Sequence, residues 1–351
     1  MGLAVLAQAA TPSPPRLRIE YVQSILREDQ PLAVCTRVEA ARAEGARIAV
    51  AVRDGDGQVL AAAGASGTPK PGAPWRCECS LRLGRGTPEA LDVVLTRASG
   101  APELAKETLR VLDGRKPLPP LRAQGMRLVD EQGRPVVIRI EHRVHKPDER
   151  WPLVRWVSHK LYGDKLAFNS VLLLGEDLGA PEDGYLSQFR AAKAKFAARA
   201  LPVPSRVEPP TPPILRAVAA LSAAEEEDPA PDLAVLSLGH RDPDFGTDLL
   251  LFERGLELIV QQLERRGCGH LVLVSPLGPS HLEKRLEPYA AAAKRVARTY
   301  RGRYLDLRRS LDDDCWRSGA GADRLLLRFP NAKGHKALAE ALTRAIVRLR
   351  R

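Results

Sequence analysis

The spacing of apolar and polar positions changes character about a third of the way along the chain. Between residues 17 and 113 the apolar residues recur in short runs: "RLRIEYVQS", "QPLAVCTRVEA", "ARIAVAVRDGDGQVLAAAG", "WRCECSLRL" and "ALDVVLTRAS". Gly, Pro and Asp separate them, which is how β-strands and their turns are punctuated. In "WRCECSL" a period of two puts Trp75, Cys77, Cys79 and Leu81 on one strand face. The "DGDG" between "IAVAVR" and "QVLAAA" predicts a hairpin turn, since glycine accepts the positive φ such turns demand. As a calcium loop it fails, because nothing follows at EF-hand spacing. A run of about a hundred residues of this kind predicts a small β-sandwich, immunoglobulin- or fibronectin-like in architecture.

"DGRKPLPPLRAQG" then reads as a linker, covering 114–125. From 126 to 351 apolar strand runs alternate with helical periods. The predicted strands are "PVVIRI" (135–140), "FNSVLLLG" (168–175), "DLAVLSLG" (232–239), "HLVLVSP" (270–276) and "RYLDL" (303–307). Helices are predicted at 151–163, 185–201, 214–227, 247–267 and 282–300, with a last one from Lys336. Within 247–267, Leu256, Ile259, Val260 and Leu263 repeat at i, i+3, i+4 and i+7, and Gly267 follows as the C-cap. The proline-rich segment 202–213 is expected to be a surface loop. Such alternation predicts an α/β domain with a parallel sheet covered on both faces, three-layered and flavodoxin-like. Ligands in such sheets bind at the carboxyl ends of the strands. The residues to weigh therefore lie at 140–146, 175–179, 239–245, 276–281 and 326–335.

Those positions carry a resemblance. "PDLAVLSLGHRDPDFG" resembles the third conserved block of the SGNH (GDSL-type) hydrolases, "P-D-x-V-x-x-x-x-G-x-N-D", with Gly239 and Asp242 in place. "FPNAKGHKALAEAL" resembles the fifth, "H-P-N-x-x-G-H". "VVIRIEHRVHKPDERWPLVRW" has the shape of the first, and "FNSVLLLGED" that of the second, whose Gly would be Gly175. The resemblance spans roughly 126–351 and implies the SGNH fold. It also implies a catalytic site of Ser, His and Asp with an oxyanion hole of backbone amides, a Gly and an Asn. On this chain the nucleophile falls on His142, the oxyanion Asn on Arg241, and the triad Asp and His on Leu326 and Phe329. Asp323 lies six residues before Phe329 where three are needed, and His335 matches a second, helix-borne His. A shifted first block would put Asp177 at the nucleophile, still not a serine. Phenylalanine accepts no proton. The expectation is the fold without the triad.

What the strand ends retain is polar: Glu141, His142, His145, Glu176, Asp177, His240, Arg241, Asp242 and Asp244. One alternative is a rebuilt site in which His142 and His240, with Glu176 or Asp242, run acid–base chemistry or hold a metal. In another, Gly175, Gly239 and Arg241 bind an anion where the oxyanion once developed. The third is structural: Arg241 pairs with Glu141 or Glu176 and fills the cleft. Trp316, in the loop "DDDCWRSGAG", is the better candidate for a stacking contact, and Trp151 and Trp156 are expected to pack a helix.

Composition adds the setting. The net charge is +11 over 351 residues, with acids interleaved, and no zinc-finger spacing, RNP-like motif or basic arm marks a nucleic-acid binder. No apolar run reaches the ~20 residues needed to span a bilayer. "LAVLAQAA", within residues 1–16, resembles the back half of a secretory signal with an A-x-A-like site at Ala7-Gln8-Ala9, so a secreted or periplasmic location is expected. Five cysteines fit that weakly: Cys77 and Cys79 cannot easily bridge each other, a bridge from Cys35 to either is open, and buried thiols are the alternative. No cofactor or metal is implied. Three function classes stand. The first is a pseudoenzyme binding an anionic glycan or an envelope protein, the second a divergent esterase or carbohydrate deacetylase, and the third a structural module.

Overall fold

The computed structural model describes residues 16–27, 30–39, 45–68, 70, 73, 75–82, 90–97, 103–143, 166, 168–176, 184–191, 196–204, 210–224, 230–316 and 329–350. The leader-like start through residue 15 and the helix expected at 151–163, with Trp151 and Trp156, lie outside them. So do His145, Asp177, Asp323 and Leu326. The chain divides into two units. One runs to Leu112 and takes in Arg134–Val137; the other comprises Asp113–Gly133 and Ile138–Arg351.

The first unit is rich in sheet. Strands β1 (Arg16–Val22), β3 (Pro31–Glu39) and β6 (Trp75–Arg82) form one antiparallel sheet in the order β1-β3-β6, and β2 is the short Ile25–Arg27. Strands β4 (Ala46–Arg53), β5 (Val59–Gly67), β7 (Ala90–Arg97) and β8 (Glu103–Asp113) pair in the order β5-β4-β7-β8. The period of two in the sequence becomes burial on one face: Leu32, Val34, Cys77, Cys79 and Leu81 from one sheet share a core with Ile48, Val50, Leu91 and Val93 from the other. The predicted turn at Asp54–Gly57 closes the β4–β5 hairpin, with Asp54 Oδ1 accepting the amides of Asp56 and Gln58. β8, "ELAKETLRVLD", was not expected as a strand; its Glu, Lys and Ala are poor strand formers, and pairing with β7 overrides them.

Register settles the cysteines of this unit. Thr36 pairs with Cys77 and Val34 with Cys79, so Cys35 stands opposite Glu78 and projects from the other face of the sheet. No Cys35 bridge to either thiol is available. Cys77 and Cys79 are buried with their sulfurs 3.7 Å apart, in hydrogen-bond contact, and none of the five cysteines is in a disulfide. Burial and the neighbouring Cys77 push the Cys79 thiol up to about 12.

The second unit is built on a five-stranded parallel sheet, β13-β12-β14-β15-β16, formed by Ala197–Val203, Ser170–Glu176, Leu233–Ser237, His270–Val274 and Arg303–Leu305 respectively. Val171, Leu173, Val235, Val272 and Val274 face a core that helices α1 (Tyr185–Ala191) and α5 (Ala332–Leu349) complete. The alternate residues Leu172, Leu174, Ala234, Leu236 and Leu273 are buried too, so both sides of the sheet are covered. Helices α2 (Pro213–Ala223), α3 (Leu249–Arg265) and α4 (Glu283–Thr299) pack in sequence against one another.

The ends of these helices follow the local chemistry. Asp248 Oδ1 caps α3 by accepting the amides of Leu250 and Leu251. At its far end Gly267 donates to Glu264 O and Cys268 to Leu263 O, the bonds of a Schellman close. Asn331 Oδ1 caps α5 through the Gly334 amide.

Two expectations are corrected in this unit. Of the helix predicted over 185–201, Tyr185–Ala191 is helical, and "AARALPV" forms the edge strand β13 instead. Alanine and arginine favour helix in isolation, but an edge of the sheet was open for pairing, and an edge strand tolerates Pro202. The segment 114–125 is no free linker. Leu118 and Leu121 are buried, Leu121 N donates to Ser222 Oγ, and Arg122–Gln124 (β9) pairs with Arg127–Val129 (β10). A third expectation changes with β11 (Pro135–Ile140): read from the sequence as a strand of the parallel sheet, it is not among its five strands, and Glu141 and His142 follow it.

With no disulfide formed, the denatured protein titrated without reductant should yield five reactive thiols, and an oxidised pair would show as a deficit of two.

Candidate functional site

Strands β12 and β14 run parallel and side by side, with Gly175 opposite Ser237, so the residues that follow each strand meet at one end of the sheet. Glu176 closes β12. Its Oε1 accepts the amides of Gly239 at 2.6 Å and His240 at 2.9 Å, and its Oε2 accepts that of Arg241 at 3.1 Å. Three successive N–H groups thus converge on one carboxylate, the geometry of an anion-binding nest. The turn needs Gly239: its φ is 88°, and a Cβ there would stand 2.7 Å from the Phe252 ring and 3.1 Å from Pro276.

Asp242 is fully buried. Its Oδ1 accepts the Ile214 amide at 3.3 Å, in the first turn of α2, where Pro212 at the N-cap supplies no side-chain acceptor. A residue distant in sequence therefore does the capping, and its charge faces the positive end of the helix.

His240 is a structural ring. The Leu277 amide donates to Nδ1 at 2.7 Å, so Nδ1 carries no proton, and Nε2 bonds Ser237 Oγ at 3.0 Å as the donor. Burial depresses its pKa from 6.5 to about 4, against the opposing pull of its Ser237 and Leu277 contacts.

Arg241 is 9% exposed and lies between two rings, its guanidinium carbon 4.7 Å from the Phe329 centroid and 5.4 Å from that of Phe245. Phe245 also meets Arg216 at 5.1 Å, and Arg216 donates to Pro204 O. The cations act on the acids: burial and then the charge of Asp242 push Glu176 upward, while Arg241 and Arg216 pull it back. Burial likewise raises Asp242, against Thr247, the Ile214 amide and Arg216.

Gly175 sits inside β12, paired with Pro202 on one side and Ser237 on the other. It makes room for Tyr185, whose Oη would stand 2.6 Å from a Cβ at this position and donates to Glu176 O at 2.8 Å. The Tyr185 amide donates to His335 Nδ1 at 3.4 Å, and the two rings stack at 6.3 Å, which gives His335 a packing role in the first turn of the last helix.

The sequence-derived candidates therefore separate. Glu176, Gly239, His240, Arg241 and Asp242 form one buried group. Glu141 goes elsewhere: its carboxylate pairs with Arg143, which also bonds Glu264, and its carbonyl accepts from Gln261. His142 follows it on the same segment after β11 and is half-buried. Asp244 continues the turn, its amide donating to Arg241 O. Trp316 is corrected as a stacking platform, since it is buried in the core and bridges Pro330. Among the described residues no group of three or more His, Cys, Asp or Glu side chains is placed to hold a metal. No helix among them is long and apolar enough to cross a membrane.

Arg216, Phe245 and Tyr185 were not anticipated. Arg216 carried a signal, being the one charge in the otherwise apolar "PILRAVAALSA".

No family model matches the chain, and none of the curated proteins does. Solved structures do. A member of the lipolytic protein G-D-S-L family from Veillonella parvula DSM 2008 is 12% identical, over 51% of this chain and 98% of its own, with a TM-score of 0.39. The psychrotrophic esterase EstA from Pseudoalteromonas sp. is 14% identical, over 51% of this chain and 97% of its own, at 0.40. The β-glucuronidase of Bacteroides uniformis is 12% identical, over 78% of this chain and 34% of its own, at 0.22.

Two tests address the group directly. Gly239→Ala should destabilise the fold by at least about 2 kcal/mol in denaturant titration, from left-handed backbone strain plus the Phe252 contact. For His240 the neutral ring stabilises fully above pH 6.5, and that contribution is lost as pH falls towards the folded value near 4. Between neutral pH and pH 5 the loss is about 2 kcal/mol. His240→Asn keeps an acceptor for Leu277 without a titrating group, so its stability should fall less over that interval.

Proposed function

We propose that this chain is a non-catalytic SGNH-like protein whose former reaction cleft has been rebuilt as a structural core. The observation that carries it is the contact between two substituted positions. Arg241, where the family pattern has the oxyanion Asn, lies 4.7 Å over Phe329, where the pattern has the catalytic His. The adjoining amides are taken by Glu176. A cation on an aromatic face is a stabilising contact, and neither partner accepts a proton from a nucleophile.

In the finer architecture we read the second unit as three-layered and flavodoxin-like, because both faces of its parallel sheet are buried. The first unit reads as a β-sandwich, because its two sheets contribute to a single core. The signal-like "LAVLAQAA" supports an envelope or secreted setting, where such a pair of units would bind or assemble. An anionic glycan held by Arg241 is the weaker version, since its guanidinium is buried between rings. A rebuilt esterase through His142, His240 and a carboxylate is weaker still. Both nitrogens of His240 are engaged, and Glu176 and Asp242 are committed to backbone amides.

The test is hydrolysis of 4-nitrophenyl acetate by the purified chain and by His142→Ala, with and without divalent metals. The proposal expects no turnover above the buffer rate in any sample. Metal-independent or metal-dependent turnover that disappears in His142→Ala would overturn it.

A further inference from the structure

The turn Gly239–Arg241 is organised as a binding site in its own right. Its three amides point at one carboxylate, at 2.6, 2.9 and 3.1 Å, and both carboxylate oxygens are used. The turn holds this shape by means independent of Glu176. Gly239 adopts a left-handed φ against Phe252 and Pro276. The His240 ring is fixed by Leu277 and Ser237. The Arg241 side chain is fixed by Phe245 and Phe329. After Arg241, the Asp244 amide closes on the Arg241 carbonyl and Asp242 is anchored to α2. Donors held in place by their own surroundings bind an anion at little reorganisation cost.

We infer that Gly239–Arg241 is a preformed carboxylate site whose resident ligand is the chain's own Glu176, and that it takes a small free monocarboxylate once that side chain is cut back. The inference deepens the reading of this cleft as a rebuilt one and rests on it for the site's place in the fold. It names the chemistry of that place, a planar two-oxygen anion. It also makes Glu176 the internal occupant of a position where an external ligand would sit.

Glu176→Ala removes the carboxylate and leaves room for about one acetate. Thermal unfolding of this variant, titrated with sodium acetate against sodium chloride at equal ionic strength, should show a lowered Tm that acetate raises saturably by several degrees. The wild type, whose site is filled, should respond equally to the two salts. Equal responses of the variant to acetate and chloride would overturn the inference.

Should Glu176→Ala fold only poorly, refolding yield is the readout, with recovery expected in acetate and not in chloride. Glu176→Gln gives a second measurement, because an amide group cannot accept with both ends. In its 1H–15N spectrum the Gly239, His240 and Arg241 resonances should move upfield from their wild-type positions, and unchanged positions would count against the site. Ester hydrolysis is read separately. Rescue by acetate in a protein that does turn over 4-nitrophenyl acetate would keep the site and discard the non-catalytic reading, and absence of both would do the reverse.

Discussion

One carboxylate meeting three consecutive amides organises the carboxyl end of this sheet. Glu176 ends β12, and its acceptors bind the turn that follows β14, so these two adjacent strands are tied together beyond their ladder. Withdrawing a carboxylate from water is costly, and removing a partner of a buried charge costs about 3–5 kcal/mol. The surrounding residues can be understood as what makes that burial tolerable. Arg241 and Arg216 supply charge, the phenylalanine rings receive the guanidinium faces, and Tyr185 takes the carbonyl of Glu176 itself. Asp242 extends the same logic to the first turn of α2.

The arrangement explains how the strand ends can be filled without collapsing the turn around them. An apolar side chain in place of Glu176 would leave oriented amides pointing into an apolar space, each unpaired donor costing about 1–3 kcal/mol. Here the amides meet a carboxylate supplied from the neighbouring strand. The polar groups at this end of the sheet draw their partners from within the chain.

Much of the fold was legible because burial on two faces writes long apolar runs. "SVLLLG", "LAVLS" and "HLVLV" could only be interior parallel strands, and β4–β5 announced itself by alternation around a turn. Edges were harder to read. β13 lies at the margin of the sheet, where packing demands little of the side chains, so its alanines gave the periodicity of a helix. The site was legible as a set of residues and illegible as a geometry. Glu176, His240, Arg241 and Asp242 were all marked by their position after a strand. That the amides and not the side chains would receive Glu176 depends on the φ of Gly239, and the Arg241–Phe329 contact joins residues far apart in sequence. A single sequence states neither.

The stacking of Arg241 on Phe329 also bears on how these two positions can vary. A histidine at 329 would set an imidazole against a guanidinium, where its protonated state is repelled. An asparagine at 241 would withdraw a cation from the buried Glu176 while the ring beneath it stayed in place. Each replacement is therefore disfavoured while the other residue stays. The pair is interlocked, so these two positions are expected to vary together or not at all.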